Sequence, residues 1–294
     1  MKGQWFVVLV LAACARDGGR SSTTEQARAP HCDSARRIAA LPAPLNEASG
    51  VAVSIRHAGI LWVHNDSGEP TIFALDTLGN LRGRVRVPVP NIDWEDIEVA
   101  PCPEGSCIYL GAIGDNLQSR TDRAVLRFPE PDLNAGAIGT VTRFRYRLPA
   151  AAHDIEALFV VNDRMFLITK GRSGPVTLFG FPANASADEV SLLQELQQLT
   201  PGLVQLPDMV TGAGATRGGS TIVVRTYSAL QLYSLEADRL TPILSGTGLD
   251  LQALHEFQGE GVDVAENGSV YLVTEKGLGD EDPPLSKVTC VLGD

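Results

Sequence analysis

Five stretches of the chain read alike: Ser49-Gly50-Val51-Ala52-Val53, Glu95-Asp96-Ile97-Glu98-Val99, Glu156-Ala157-Leu158-Phe159-Val160, Thr211-Gly212-Ala213-Gly214-Ala215 and Glu260-Gly261-Val262-Asp263-Val264. Each opens on an oxygen-bearing side chain and continues as a short, mostly apolar strand. Successive copies start 46, 61, 55 and 49 residues apart. A strand unit recurring at this period predicts an all-β fold, a β-propeller, in which no repeat can bury its apolar faces without its neighbours. Equivalent positions of such a ring converge on one axis, so residues distant in sequence meet at one site.

Behind each motif come a tight turn and a second strand, at Ile60–His64, Ile108–Ala112, Met165–Thr169, Thr221–Arg225 and Val270–Thr274. These are rich in β-branched and aromatic residues, as strands covered on both faces should be. Third strands follow at Thr71–Leu75, Ala124–Phe128, Val176–Phe181, Leu230–Leu235 and Lys287–Val291, and fourth strands at Leu81–Val87, Thr140–Leu148 and Arg239–Leu244. Between Ser186 and Leu199 local propensity favours a helix capped by Ser186, but the repeat requires an outer strand there, and position in a repeat outweighs propensity. The fifth repeat runs out of chain after its third strand. Its missing strand must come from Ala35–Leu41, so that both chain ends share one blade and no sheet edge is left unpaired. Five blades is the expected count and six the alternative.

The chain starts differently. Lys2 precedes an apolar run from Trp5 to Ala13, too short to span a bilayer, that ends in Leu11-Ala12-Ala13-Cys14. Residues 1–14 read as a lipoprotein signal with Cys14 as the lipidation site; an ordinary secretory signal with an incidental Cys14 is the alternative. Residues 15–31, without large apolar side chains, read as a flexible tether, and 32–294 as one propeller domain. From these features the protein is expected to be exported and lipid-anchored at a bacterial cell envelope; a monomer is also expected. The net charge of −11 argues against nucleic acid and against adsorption to anionic lipid, leaving the anchor as the contact with membrane. Beyond Cys14 four cysteines remain, compatible with an oxidising compartment. Cys102 and Cys107 flank a short turn and are expected to bridge locally, with a metal site as the weaker reading. Cys32 and Cys290 would then join the two ends of the domain.

In a propeller, the starts of the inner strands and the ends of the second strands open on one face. Ser49, Glu95, Glu156, Thr211 and Glu260 gather there, with Glu47, Asp93 and Asp154 two positions earlier. So do His64-Asn65-Asp66, Asp115-Asn116, Lys170, Arg225, Glu275 and Lys276. Carboxylates sharing so small a site cannot all remain ionised alone. A hard cation such as Ca²⁺ could take oxygens of Glu95, Glu156 and Glu260, with Asn65, Asp66 or Asp115; the basic residues could neutralise them; or one carboxyl could keep its proton and act as a general acid. Glu98 and Asp263, inside inner strands, read as pore lining. The chain holds no Gly-rich phosphate loop, no Gly-x-Ser-x-Gly turn and no His-Glu-x-x-His pair.

As a set, His64-Asn65-Asp66-Ser67-Gly68, Asp93-Trp94-Glu95-Asp96-Ile97, Gly114-Asp115-Asn116, Asp154-Ile155-Glu156-Ala157 and Gly259-Glu260-Gly261 resemble a group of exported bacterial β-propeller lipoproteins of unassigned role. More remotely the pattern is similar to NHL-repeat, gluconolactonase-like and esterase-like phytase propellers. The gluconolactonase likeness implies a divalent cation on the axis, with Glu95, Glu156, Glu260, Asn65 and Asp115 in the ligand positions, and it implies six blades. The expected function is binding of a small-molecule or envelope ligand on the polar axial face, with Ca²⁺ as the candidate cofactor. A metal-dependent hydrolase of esters, lactones or phosphate esters, and a protein–protein scaffold in the envelope, are the alternatives.

Overall fold

The structure, a computed structural model, describes residues 29–150, 153–278 and 280–292 besides Met1 and Gly3. The signal segment, Cys14 and nearly all of the tether lie outside the described residues. Apart from one 3₁₀ turn at Gln252–Leu254, regular structure among the described residues is β-strand, arranged in five separate sheets. The protein is a five-bladed β-propeller.

Blade 1 runs from its inner strand Ala48–Val53 through Ile60–Asn65 and Thr71–Asp76 to Leu81–Arg86. Blade 2 consists of Asp96–Cys102, Gly105–Ala112, Ala124–Pro129 and Thr142–Arg147. Blade 3 consists of Ile155–Val161, Arg164–Thr169, Thr177–Gly180 and Gln194–Gln198, so the repeat did prevail over the helical propensity of its last segment. Blade 4 consists of Val210–Ala215, Ile222–Thr226, Ala229–Glu236 and Arg239–Pro242, with Leu249–Asp250 also paired to its third strand. Blade 5 has only Gln258–Val264, Ser269–Glu275 and Pro284–Val291 from the C-terminal end; Arg36–Ala40 and His31–Cys32 complete it from the N-terminal end. The count of six implied by the gluconolactonase likeness does not hold, because the chain ends share this blade instead of building another. The sequence pattern gave no sign of two short strands, Gly136–Ala137 and Ser191–Leu192. Each reaches back to pair in parallel with the outer strand of the preceding blade.

Five apolar layers alternate with the five sheets. Trp62, Ile72 and Val85 of blade 1 pack on Ile97, Leu110 and Leu126 of blade 2. Tyr109 and Phe144 of blade 2 meet Leu158 and Phe179 of blade 3, and Phe159 and Phe166 meet Val224 of blade 4. Val223 and Leu232 of blade 4 pack on Val262 and Leu272 of blade 5, and Val273 and Leu285 close the ring on Val51 and Leu61 of blade 1. Every blade is therefore buried on both faces. At the hub the inner strands crowd together, and this explains the glycines of the motif. A Cβ at Gly261 would lie 2.8 Å from the Gly50 Cα, and one at Gly212 would lie 2.9 Å from the Glu260 carbonyl.

Both expected disulfides are present, Cys32–Cys290 across the shared blade and Cys102–Cys107 across the turn of blade 2. Glu130, which the sequence did not flag, ties blade 1 to blade 2. Its buried carboxylate accepts from the Trp62 indole at 2.9 Å, the Arg56 N–H at 2.9 Å and the Ser106 hydroxyl at 2.7 Å, and also from the Ser54 hydroxyl.

Candidate functional site

The opening residue of each motif owes its position to a local irregularity in the sheet. The inner-strand register slips at Ser49, at Glu156, at Thr211 and over Glu260–Gly261. A β-bulge at this point leaves the residue unpaired and re-aims its side chain. In blade 2, Glu95 stands just before the first paired residue, Asp96. The bulged hydroxyls cross to the next blade: Ser49 donates to the Glu95 carbonyl at 2.8 Å and Thr211 to the Glu260 carbonyl at 3.0 Å. Two of the five openers are thus inter-blade clips, and the other three are buried glutamates.

Glu95, Glu156 and Glu260 are the expected trio, and the structure brings them together. Burial is the largest influence on each and raises the carboxyl pKa. Glu95 is pushed well up by burial and by the charges of Glu156, Asp93 and Glu260. Glu156 is pushed well up by burial, against the pull of Lys170. Glu260 is raised to about 7 by burial, with Lys170 pulling it down. The Lys170 ammonium lies 2.9 Å from Glu156 Oε1, outside a hydrogen-bonding direction, and 5.9 Å from the centre of the Tyr227 ring. Glu260 Oε2 is buried without any partner. Tyr227 adjoins the trio as well, although sequence reasoning assigned it no role beyond a place on the polar face. Its position after Arg225-Thr226 at the end of a second strand was the available signal.

A second acidic group adjoins the first at the seam of blades 5 and 1. Glu275 is raised to about 7 by burial and by Glu260, Asp66 and Glu47. Asp66, half-buried, is raised to about 6 by burial and by Glu47, and its Oδ1 has no partner. Glu47 accepts from the Ser67 hydroxyl at 2.5 Å and bridges to Glu275 through the backbone. On the other flank Asp93, raised by burial, lies 3.6 Å from Arg120 and packs beside Glu95 against Gly114.

Other expected residues do different work. Arg225 is fully buried and spent: it donates to the carbonyls of Gly261 at 3.0 Å and Val273 at 2.9 Å and pairs with Glu256, riveting blade 4 to blade 5. Asp115 accepts from the Ser119 and Arg120 N–H groups and lies 3.6 Å from Arg123, shaping its own loop. Asp154 accepts the Asp115 N–H at 2.9 Å and pairs with Arg172 at 3.1 Å, while Asn116 accepts from Arg172 at 3.2 Å. Asn65 holds Glu47 N–H and Pro44 carbonyl. His64 is wholly buried beneath the face, edge-on to Trp94, and burial lowers its pKa to about 4, so it is neutral. Most of these side chains already have protein partners, while His64 Nε2 and Arg225 Nε are buried without one.

Below the trio, three more carboxyl groups line the hub. Asp96 accepts N–H bonds from Ile97, Leu158 and Ala213, spanning the inner strands of blades 2, 3 and 4. Glu98 accepts from Val99 and Ala215, and Asp263 from Val53 and Val264. The pore-lining reading of Glu98 and Asp263 matches this arrangement. Their task is to satisfy inner-strand donors that face the hub and have no further strand to pair with.

A divalent ion does not fit the trio as it stands. Oxygen ligands around Ca²⁺ lie about 2.3–2.6 Å from the metal, hence within about 5 Å of one another. Among the described residues, the one group of His, Cys, Asp or Glu whose ligand atoms all come within 4.8 Å is Cys102, Glu104 and Cys107. Both of its sulfurs are committed to a disulfide. Glu95, Glu156 and Glu260 do not meet that condition, and the Lys170 ammonium stands where a cation would neutralise Glu156.

No family model matches the chain, and no curated protein matches its sequence. Among solved structures, the chain is similar to a gluconolactonase from Xanthomonas campestris, at 12% identity and a TM-score of 0.44, over 83% of this chain and 72% of that one. It is also similar to a protein of unknown function from Bacteroides thetaiotaomicron VPI-5482, at 8% identity and a TM-score of 0.44, over 89% and 76% of the two chains. Likeness at this level says nothing about chemistry.

Proposed function

We propose that this chain is an exported, lipid-anchored propeller that binds a small cationic ligand, an organic ammonium or guanidinium, in the acidic cup at its axis. The observation that carries the reading is the buried Glu260 Oε2, which has no partner although Glu95, Glu156, Glu275 and Asp66 are its neighbours. The cations acting on Glu260 are Lys170, already paired with Glu156, and Arg225, already held by Glu256 and two carbonyls. The cup therefore lacks positive charge and donors, and a ligand cation supplies both. Lys2, the apolar run from Trp5 to Ala13 and the segment ending at Cys14 support the anchor, and two disulfides suit an oxidising compartment.

Titration calorimetry with alkylammonium and guanidinium compounds tests this. Glu260 and Glu275 lose their protons near pH 7 and Asp66 near pH 6. Each proton lost adds a negative charge, so affinity for a cation should rise with pH, by roughly tenfold per unit for each proton displaced. Glu260→Gln should weaken binding by at least about tenfold. Preference for carboxylates or phosphates over amines, or an affinity flat between acid and alkaline pH, would refute the reading. Ca²⁺ belongs in the same titration as the competing occupant; to bind, it must draw the three glutamates together and displace the Lys170 ammonium.

The hydrolase reading has one observation in its favour. Carboxyl groups that titrate near neutrality beside an ammonium offer both the acid and the base forms that ester or lactone hydrolysis needs. Turnover of lactone, ester or phosphate-ester substrates, abolished by Glu156→Gln, would establish it. An envelope scaffold is the remaining alternative if neither amine binding nor turnover is found.

A further inference from the structure

We infer that the rim formed by blades 5, 1 and 2 is a docking surface for an anionic lipid bilayer. The outer strands of these three neighbouring blades are Arg36–Ala40, Leu81–Arg86 and Thr142–Arg147. Between them they carry Arg36, Arg37, Arg82, Arg84, Arg86, Arg143, Arg145 and Arg147, all exposed, and no acidic residue. In Leu81–Arg86 and Thr142–Arg147 the arginines alternate with residues turned inward, such as Val85, Phe144 and Tyr146. Each of these two strands therefore presents a ladder of guanidinium groups on one side.

Asp76 neutralises Arg82 at 2.7 Å, and Arg37 is engaged by the Leu254 carbonyl and, at 3.9 Å, by Glu281. Arg36, Arg84, Arg86, Arg143, Arg145 and Arg147 have no carboxylate within 4.0 Å among the described residues. The remaining rim is different: the outer strands Gln194–Gln198 and Arg239–Pro242 of blades 3 and 4 carry one Glu and one Arg.

The net charge argues against anionic lipid, but the distribution of charge favours it at this arc. The screening length at physiological salt is about 8 Å, so carboxylates elsewhere on the ring are largely invisible to a surface touching the arginines. Guanidinium groups pair with phosphate in a bidentate fork, which suits lipid headgroups.

The bilayer is favoured over a soluble polyanion because of where the chain leaves the ring. His31–Cys32 pairs with Cys290–Val291 on the outer edge of blade 5, so the segment leading back to Cys14 departs from this same arc. Only sixteen residues lie between Cys14 and His31, which limits how far the anchor can be from this arc. In this respect the inference rests on the anchor reading. The arginine surface itself is testable without lipid on the protein.

Among the described residues, the strands of the five sheets begin at His31. A chain that lacks residues 1–13 and carries Cys14→Ser can therefore be mixed with phosphatidylcholine vesicles with and without phosphatidylglycerol. The chain should partition onto the phosphatidylglycerol vesicles and detach in high salt. The variant Arg84→Gln/Arg86→Gln/Arg145→Gln/Arg147→Gln should lose at least about tenfold in partitioning, with its melting temperature unchanged. Equal partition onto both kinds of vesicle, undiminished binding by the variant, or retention on heparin with none on vesicles would each overturn the inference. Incorporation of labelled palmitate at Cys14 in cells reads the anchor separately; its failure would leave the vesicle result standing.

Discussion

Asp96→Ala should destabilise the protein by about 3–6 kcal/mol, a large share of a total stability of order 5–15 kcal/mol. The side chain is wholly buried and accepts three backbone N–H bonds, at 2.9 Å from Ile97, 2.8 Å from Leu158 and 3.0 Å from Ala213. Alanine would leave three donors at the hub without an acceptor, and two of them belong to other blades. Each buried orphan costs about 1–3 kcal/mol. Asp96→Asn keeps one acceptor oxygen but turns an amide N–H₂ toward donors, so it should fall between wild type and alanine. Urea unfolding of all three chains reads the series. An Asp96→Ala protein with an unchanged midpoint would mean that the inner strands satisfy their donors in some other way.

Removing the Cys32–Cys290 bridge should have the next largest effect. It closes a separation of 258 residues, against 5 for Cys102–Cys107. The chain-entropy relation gives about 5.6 kcal/mol for the long loop and about 2 kcal/mol for the short one. Topology adds to this difference. In Cys32→Ser/Cys290→Ser, Arg36–Ala40 would be held to Pro284–Val291 without a covalent tie, and its loss would uncover Pro284–Val291 and open the ring. Hydrogen exchange should therefore quicken first along Arg36–Ala40 and Pro284–Val291, and the denaturation midpoint should fall further than in Cys102→Ser/Cys107→Ser. Equal losses from the two double variants, with exchange spread evenly over the blades, would show that the clasp does not govern closure.

Period and chain length made the architecture legible. The repeat fixed the strand order, and the missing strand of the last repeat pointed to a blade shared by both ends. The same reasoning brought Glu95, Glu156 and Glu260 together, because position in a ring is a property of the pattern. What remained hidden was which polar groups are already used. Asp115, Asp154 and Arg225 look like site residues by type and position. The partners that consume them, Arg123, Arg172 and Glu256, become neighbours only through loop geometry. Asp96 stood inside a quoted motif, yet its bonds to Leu158 and Ala213 cross 62 and 117 residues. Glu130 sits between two prolines just past the strand Ala124–Pro129, with nothing local to signal that Trp62, Arg56 and Ser106 converge on it. The bulges that re-aim the motif openers are equally invisible, since the slip of one residue depends on the neighbouring strand.

The account stands on Glu260, Glu156 and Lys170, from blades 5 and 3, sharing one buried site. Carboxyl-carbon NMR of Glu260, compared between wild type and Lys170→Met, tests this most directly. Removing an ammonium that pulls the Glu260 pKa down should move its titration midpoint upward from about 7. A Glu260 that titrates as an ordinary exposed glutamate, or whose midpoint is indifferent to Lys170→Met, would contradict the shared site.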